Sequence, residues 1–395
     1  MNKYSKIIIQ PLASSTKGNR YLLACNDQYY EADYPIVELL TELNGHSLEE
    51  EAISSYVKKK DGKYTSEQVQ QIINNFITPL FSVKKKKHTF LYEKELFRAT
   101  TIDKFSDTFR FLFNKKYMLV VFTITLVLNT YFYLMTNDLL SFNNKVNIYM
   151  AIGILVFMLF SSFFHELGHA SACKYFGVRH GGIGFGLYLN FPVLYTNVTE
   201  VWKLNRTQRS IVNIAGVYFQ CYWLIILLVG FLLTGNDMLR YLILITNMGI
   251  LMTLNPFFKF DGYWLASDLL GVPNLRTRSM ELINYCYKHI SKHPIITRPY
   301  LLQIRPVEKY GLFVYSFVVN LFMGFYFFYI IPSFLYRFVN KFPDAVNELI
   351  LYLSNGMTPP FLLLRNIGTQ LLFLILIGYL FWKLIHPLIK KHVRN

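Results

Sequence analysis

The sequence predicts a polytopic α-helical membrane protein that carries a small N-terminal α+β, winged-helix-like domain. Three observations predict it. Of 395 residues, 53% are apolar, 17% aromatic and only 16% charged, whereas a soluble domain carries about 25% charge. The apolar residues gather into six stretches, 117–136, 147–170, 210–233, 238–258, 311–336 and 361–385, each near the roughly 20 residues a spanning helix needs. The net charge of +16 is unevenly placed. Residues 1–116 hold 18 basic and 14 acidic side chains, while the more apolar remainder holds 22 and 10. A soluble enzyme and a disordered chain are both excluded, and no nucleic-acid partner is needed to explain the basic excess.

The first hundred residues read as a unit of their own. Tyr21–Cys25 and Gln28–Ala32 flank Asn26-Asp27, a hairpin signal. Apolar residues at helical spacing then predict helices over Pro35–Asn44, Ser47–Lys59 and Thr65–Phe76. Ser47 with Glu50 three residues on has the form of a capping box. The basic run Lys84–Lys87 closes the unit, which is taken as residues 1–100, and the aromatic, charged stretch Phe90–Phe113 leads from it to the membrane, with 101–116 as the linker. The start of the chain shows no long apolar core with a cleavage site. Four scattered cysteines form neither a disulfide framework nor a cysteine metal cluster.

Basic residues near span ends set orientation. With the N-terminus inside, the inner loops take Lys203, Arg206, Arg209 and the basic residues of a cytosolic loop over 271–310, which contains a surface helix. The inner C-terminus adds Lys383, Lys390, Lys391 and Arg394, against Lys145, Arg240, Arg337 and Lys341 outside. Both termini are therefore expected in the cytosol, with residues 311–395 forming the last membrane helices and a basic tail.

Ionisable residues inside a span mark function by default. The second stretch ends SSFFHELGHASAC. His165 and His169, four apart, share a helix face and can ligate one metal ion. Glu166, beside the first of them, can serve as general base for a metal-activated water. The competing reading is a polar helix-packing patch. A third ligand is expected from LMTLNPFFKFDGYW, where Asp261 follows the helix-breaking Pro256. The second and fourth stretches run in the same direction, so both motifs fall at one depth, near the cytosolic face. Cys173, four residues after His169 and set among small residues, is a rival ligand or a packing residue.

HELGH on one span with Pro-x-x-x-x-Asp-Gly on a later one resembles the site-2-protease family of intramembrane zinc metalloproteases, and TLNPFFKFDGYWLASDLLGVPNL is similar to its bacterial branch of peptide zinc metalloproteases. The likeness covers roughly residues 115–270, which gives a metalloprotease core over 117–270. The resemblance implies Zn2+ held by His165, His169 and Asp261, with Glu166 as catalytic base, in a bacterial inner membrane. One departure is visible: the family often has Asn eight residues before the ligand Asp, and here that position is Thr253. Asn255 is the candidate substitute, and is expected to contact substrate.

RHGGIGFGLYLNFPVLYTNVTEVW follows the second span, and its glycines exclude a stable helix. It reads as a re-entrant β-like loop beside the metal, as the family also suggests. Peptide bonds in a helix are shielded, so substrate must be held extended. Gly184, Phe185, Gly186 and Leu187 are the expected edge for strand addition, against a plain interfacial loop. YLLACNDQYYEADYPIVELLTELNG resembles, in shape and spacing, the PqqD-like element used in maturation of ribosomally made peptides. That likeness implies binding of a leader peptide as an added strand. A purely structural or regulatory domain and a DNA-binding winged helix are its rivals.

The expected activity is a zinc metalloendopeptidase cutting a leader-bearing precursor peptide near the cytosolic membrane face, for maturation or export with a peptide exporter as partner. Two other readings remain open: cleavage of a membrane-anchored regulator such as an anti-sigma factor, and a non-catalytic transporter or peptide-immunity component.

Overall fold

A computed structural model describes residues 3–12, 14, 16, 18–26, 28–61, 63–81, 92–137, 139, 148–188, 191–292 and 299–392. The basic run Lys84–Lys87 lies outside the described residues.

The N-terminal unit is a three-stranded antiparallel sheet, β1 (Ile8–Leu12), β2 (Arg20–Cys25) and β3 (Gln28–Asp33), in that spatial order. The hairpin forms where expected, with Cys25 opposite Gln28 and Asn26 in the left-handed region at φ 49°. β1 was not expected. Pro11 interrupts its sequence pattern, and is tolerated because β1 is an edge strand. Helices α1 (Tyr34–Gly45), α2 (Glu49–Lys59), α3 (Ser66–Ile72) and α4 (Thr78–Phe81) follow, the last two joined by a π turn over Ile73–Ile77. The capping box falls elsewhere than expected. Leu48, with no side-chain cap, precedes α2, whereas Thr65 and Gln68 cap α3 reciprocally. Leu39, Leu43, Ala52, Val69 and Ile73 fill one core between sheet and helices.

The boundary drawn at residue 100 needs correction. Tyr92–Phe97 is a strand, β4, and it pairs with the membrane unit instead of its own domain. α5 (Ala99–Phe109) and a 3-10 turn (Arg110–Phe113) then occupy the expected linker. α5 is strongly amphipathic, burying Ile102 and Ser106 against the helix that carries HELGH.

Among the described residues, five helical stretches are long and apolar enough to cross a membrane: Lys115–Met135 (α6), Tyr149–Tyr175 (within α7, Ile148–Tyr175), Arg206–Thr234 (α8), Pro306–Ser354 and Leu362–Tyr379 (within α14, Phe361–His392). The sixth expected span, α9 (Asp237–Thr253), has 17 residues. It rises about 26 Å, at the short end of the roughly 17–25 residues that spanning helices use. Pro256 disfavours helix in the residue before it, and the chain leaves helix there. The 311–336 stretch, by contrast, runs on. α12 (Pro306–Phe325) passes through a π turn (Tyr326–Ile330) into α13 (Ile331–Ser354). That turn places Pro332 in the first turn of a new segment, where its missing N–H is harmless.

α7 divides into two halves. Leu155, Val156 and Leu159 are exposed, as lipid-facing residues would be, whereas Leu167, Ala170, Ala172 and Cys173 are buried against α8. Gly168 makes that crossing close, since a Cβ there would lie 2.5 Å from Ala215 O. After α7 come β5 (Ile183–Tyr188) and β6 (Phe191–Thr196), in a sheet ordered β4-β5-β6. α10 (Asp261–Leu270) and α11 (Leu275–Ile290), the expected surface helix, follow α9. The N-terminal sheet docks near α11 and the segment after it, through Arg20 Nη2 to Gln303 Oε1 at 3.3 Å and Arg278 with Glu31 at 3.7 Å.

Candidate metal centre

Two helices and a loop bring three donor atoms together. His165 and His169 project from the buried half of α7, and Asp261 opens α10. Asp261 Oδ2 lies 3.0 Å from His165 Nε2 and 3.1 Å from His169 Nε2, and the two ring nitrogens are 3.2 Å apart. Those edges match a tetrahedron whose centre is about 2 Å from each corner, the bond length of imidazole and carboxylate to Zn2+. His165, Glu166 and His169 are 8%, 8% and 6% exposed. Glu166 Oε1 is 4.0 Å from His165 Nε2, beside the triad and outside it.

The far side of each ring decides which nitrogen is free. His169 Nδ1 donates to Val212 O at 2.7 Å, and His165 Nδ1 donates to Gln220 Oε1 at 3.2 Å. With both protons on Nδ1, both Nε2 atoms present lone pairs to a carboxylate oxygen. Three lone-pair atoms so close repel one another unless a cation lies among them. The donor set therefore fits a divalent metal such as zinc.

α8 builds this arrangement, and the HELGH motif alone gives no sign of it. Val212, Gly216 and Gln220 recur at four-residue spacing and face α7. A Cβ on Gly216 would sit 2.3 Å from His165 Cε1, so only glycine admits the ring. Gly262 is equally constrained, 2.0 Å from Leu254 O for a Cβ, which fixes the start of α10 against the end of α9. The spacing of Gly216 and Gln220 was visible in the sequence, but nothing there said which helix the histidines would meet.

The remaining candidates fall differently. Cys173 is fully buried among Ala170, Ala172 and Phe219, as a packing residue. Asn255, expected on substrate, accepts from Phe257 N–H at 2.8 Å through its Oδ1 and so orders its own loop after α9. Gly184, Phe185, Gly186 and Leu187 are on β5, but β5 is the central strand. Glu95 to Tyr92 pair along one side and Tyr195 to Pro192 along the other. The edge expected of these residues is thus occupied by β4. The outer edge next to α7 belongs to β6. Thr196 at its end donates its hydroxyl to Glu166 O at 3.1 Å. Tyr188 OH accepts from Lys259 N–H at 3.0 Å, and its ring packs on Phe260, tying the hairpin to the loop that carries Asp261.

A cavity of 1830 Å³ is lined by His165, His169 and Asp261. Residues 192–197 line one wall, Glu93 and Glu95 of β4 another, and Gln28, Tyr29 and Tyr30 of β3 reach it from the N-terminal unit.

No family model and no solved structure matches the chain. It is similar to the Bacillus subtilis (strain 168) protein named "Putative peptide zinc metalloprotease protein YydH", 26% identical over 222 residues that make up 53% of this chain and 84% of that protein. The relative's name and a buried His-Glu-His group with Asp261 beside it together support a zinc metalloprotease function.

Proposed function

We propose that the chain is an intramembrane zinc metalloendopeptidase of the site-2-protease type, with His165, His169 and Asp261 as ligands and Glu166 as general base. The convergence of those three donors at one end of α7, with Glu166 beside them, carries the reading. Bound there, zinc would lower the pKa of water to about 7 and polarise the scissile carbonyl. Glu166 takes the proton of the attacking water and returns it to the leaving amine. Gln220 and Val212 hold the two imidazoles in one tautomer throughout. The substrate lies extended along the outer edge of β6, where strand addition exposes its peptide bonds to the site.

The substrate is a leader-bearing precursor peptide. β3 is an edge strand of the N-terminal sheet, and its residues line the same cavity as the ligands. A peptide added to β3 as a fourth strand would have its following segment directed toward the metal. The charge asymmetry supports a bacterial inner-membrane protein with both termini in the cytosol. A peptide exporter is the partner for the product.

Purified protein should hold one zinc per chain and cleave a precursor peptide in proteoliposomes. Glu166→Gln should keep the metal and lose at least ~100-fold in rate. Undiminished hydrolysis by that variant would refute the mechanism.

A further inference from the structure

Arg206, Arg209 and Asn213 lie three and four residues apart in the first turns of α8 and share one face. All three grip the far end of α10. Arg209 Nε donates to Asp268 Oδ1 at 2.6 Å, and Asn213 Nδ2 donates to Asp268 Oδ2 at 2.7 Å. Arg206 donates to the main-chain oxygens of Asp268 and Leu269 at 2.9 and 2.7 Å. Asp268, Arg209 and Asn213 are 7%, 5% and 9% exposed. A buried ion pair adds little to stability over well-packed apolar residues of similar volume. Stability alone is therefore a weak reason for this cluster.

Its position suggests another. α10 has ten residues, Asp261 is its first, and Gly262 is pressed against Leu254 O. A helix so short turns as a rigid body, so fixing its last turn fixes the direction in which Asp261 points. The same α8 holds both histidines through Val212 and Gln220. We infer that Arg209, Asn213 and Asp268 are positioning residues, a clamp that registers α10 on α8 so that Asp261 meets the two imidazoles. This rests on the metal-site reading proposed above. A ligand displaced by about 1 Å at such a centre falls well outside the ±0.2 Å that metal bonds tolerate.

The test is made on the full chain in detergent. Zinc affinity is measured against a chelating competitor, together with the visible spectrum of the cobalt-substituted protein and the thermal midpoint without metal. Asp268→Asn and the double variant Arg209→Met with Asp268→Leu should each bind zinc about 10–100-fold more weakly, with a shifted cobalt band. The double variant should keep the metal-free midpoint, because it leaves no orphaned charge. Arg209→Lys, which keeps the charge and loses the fork, should recover part of the affinity. A folded double variant with the parent's zinc affinity and cobalt spectrum overturns the clamp. Should Asp268→Asn fail to fold, the double variant decides alone. A parent chain that binds no zinc overturns the metal-site reading instead, whatever the variants do.

Discussion

Gly216→Ala probes how closely α8 and α7 are fitted around His165. The added methyl would sit 2.3 Å from both Cε1 and Nε2 of the ring and 2.5 Å from Nδ1, where ordinary contact begins at 3.4 Å. The imidazole must retreat by about 1 Å, roughly five times the tolerance of a metal–ligand bond. It would also leave Gln220, the partner that fixes its tautomer. Losing that partner alone lowers metal affinity about 10–100-fold. Moving the ligand itself should do at least as much, and turnover should fall about 100-fold or more. Alanine is meanwhile worth up to ~1 kcal/mol over glycine in a helix interior, so α8 itself is not weakened. Metal content by atomic emission, affinity by chelator competition and cleavage rate are read on one preparation. A folded Gly216→Ala protein with stoichiometric zinc and the parent's affinity would refute this account of the site.

Other perturbations separate the parts of the design. Gln220→Leu should weaken zinc binding by about 10–100-fold, or ~1.4–2.7 kcal/mol, with little change in the metal-free thermal midpoint. Gly182→Ala should loosen β4, since its Cβ would lie 2.1 Å from Phe97 O. Disulfide cross-linking between cysteines placed at Lys94 and Phe185 should fall accordingly, and an unchanged yield would argue against that contact. The Asp103 carboxyl is held below its ordinary value of 3.8, chiefly by its hydrogen bond with Lys174 at 2.7 Å. A depressed carboxylate stabilises the fold above its unfolded pKa and loses that contribution as pH falls through the folded value. The thermal midpoint should therefore drop below about pH 3.8, and Asp103→Asn should remove that part of the acid dependence.

The parts of this protein most legible in its sequence are those that local rules determine. HELGH needed only the helical period to set His165 and His169 on one face, and the N-terminal hairpin announced itself through Asn26 and its alternating flanks. Asp261 was legible because a proline-broken loop carried an acid at the same depth. What escaped was pairwise. Tyr92–Phe97 has an unremarkable charged and aromatic pattern, and only β5 makes it a strand. Gln220 and Asp268 are ordinary polar residues until a neighbouring helix gives them a histidine and an arginine. The overrun of α12 into α13 depends on a π turn, a hydrogen-bond shift that no residue pattern encodes.

The pairing of β4 with β5 also constrains how the molecule is made. Tyr92–Phe97 emerges from the ribosome before α6 and α7, so it waits through two helix insertions for the strand that completes it. During that interval it is an unpaired edge with exposed Tyr92, Leu96 and Phe97, the kind of segment that associates wrongly with other chains. Glu93, Lys94 and Glu95 in its middle supply the charge that discourages such encounters. The hairpin beside the candidate metal site is thus finished late, by a strand that was synthesised early, and assembly of the site depends on insertion of the helices between them.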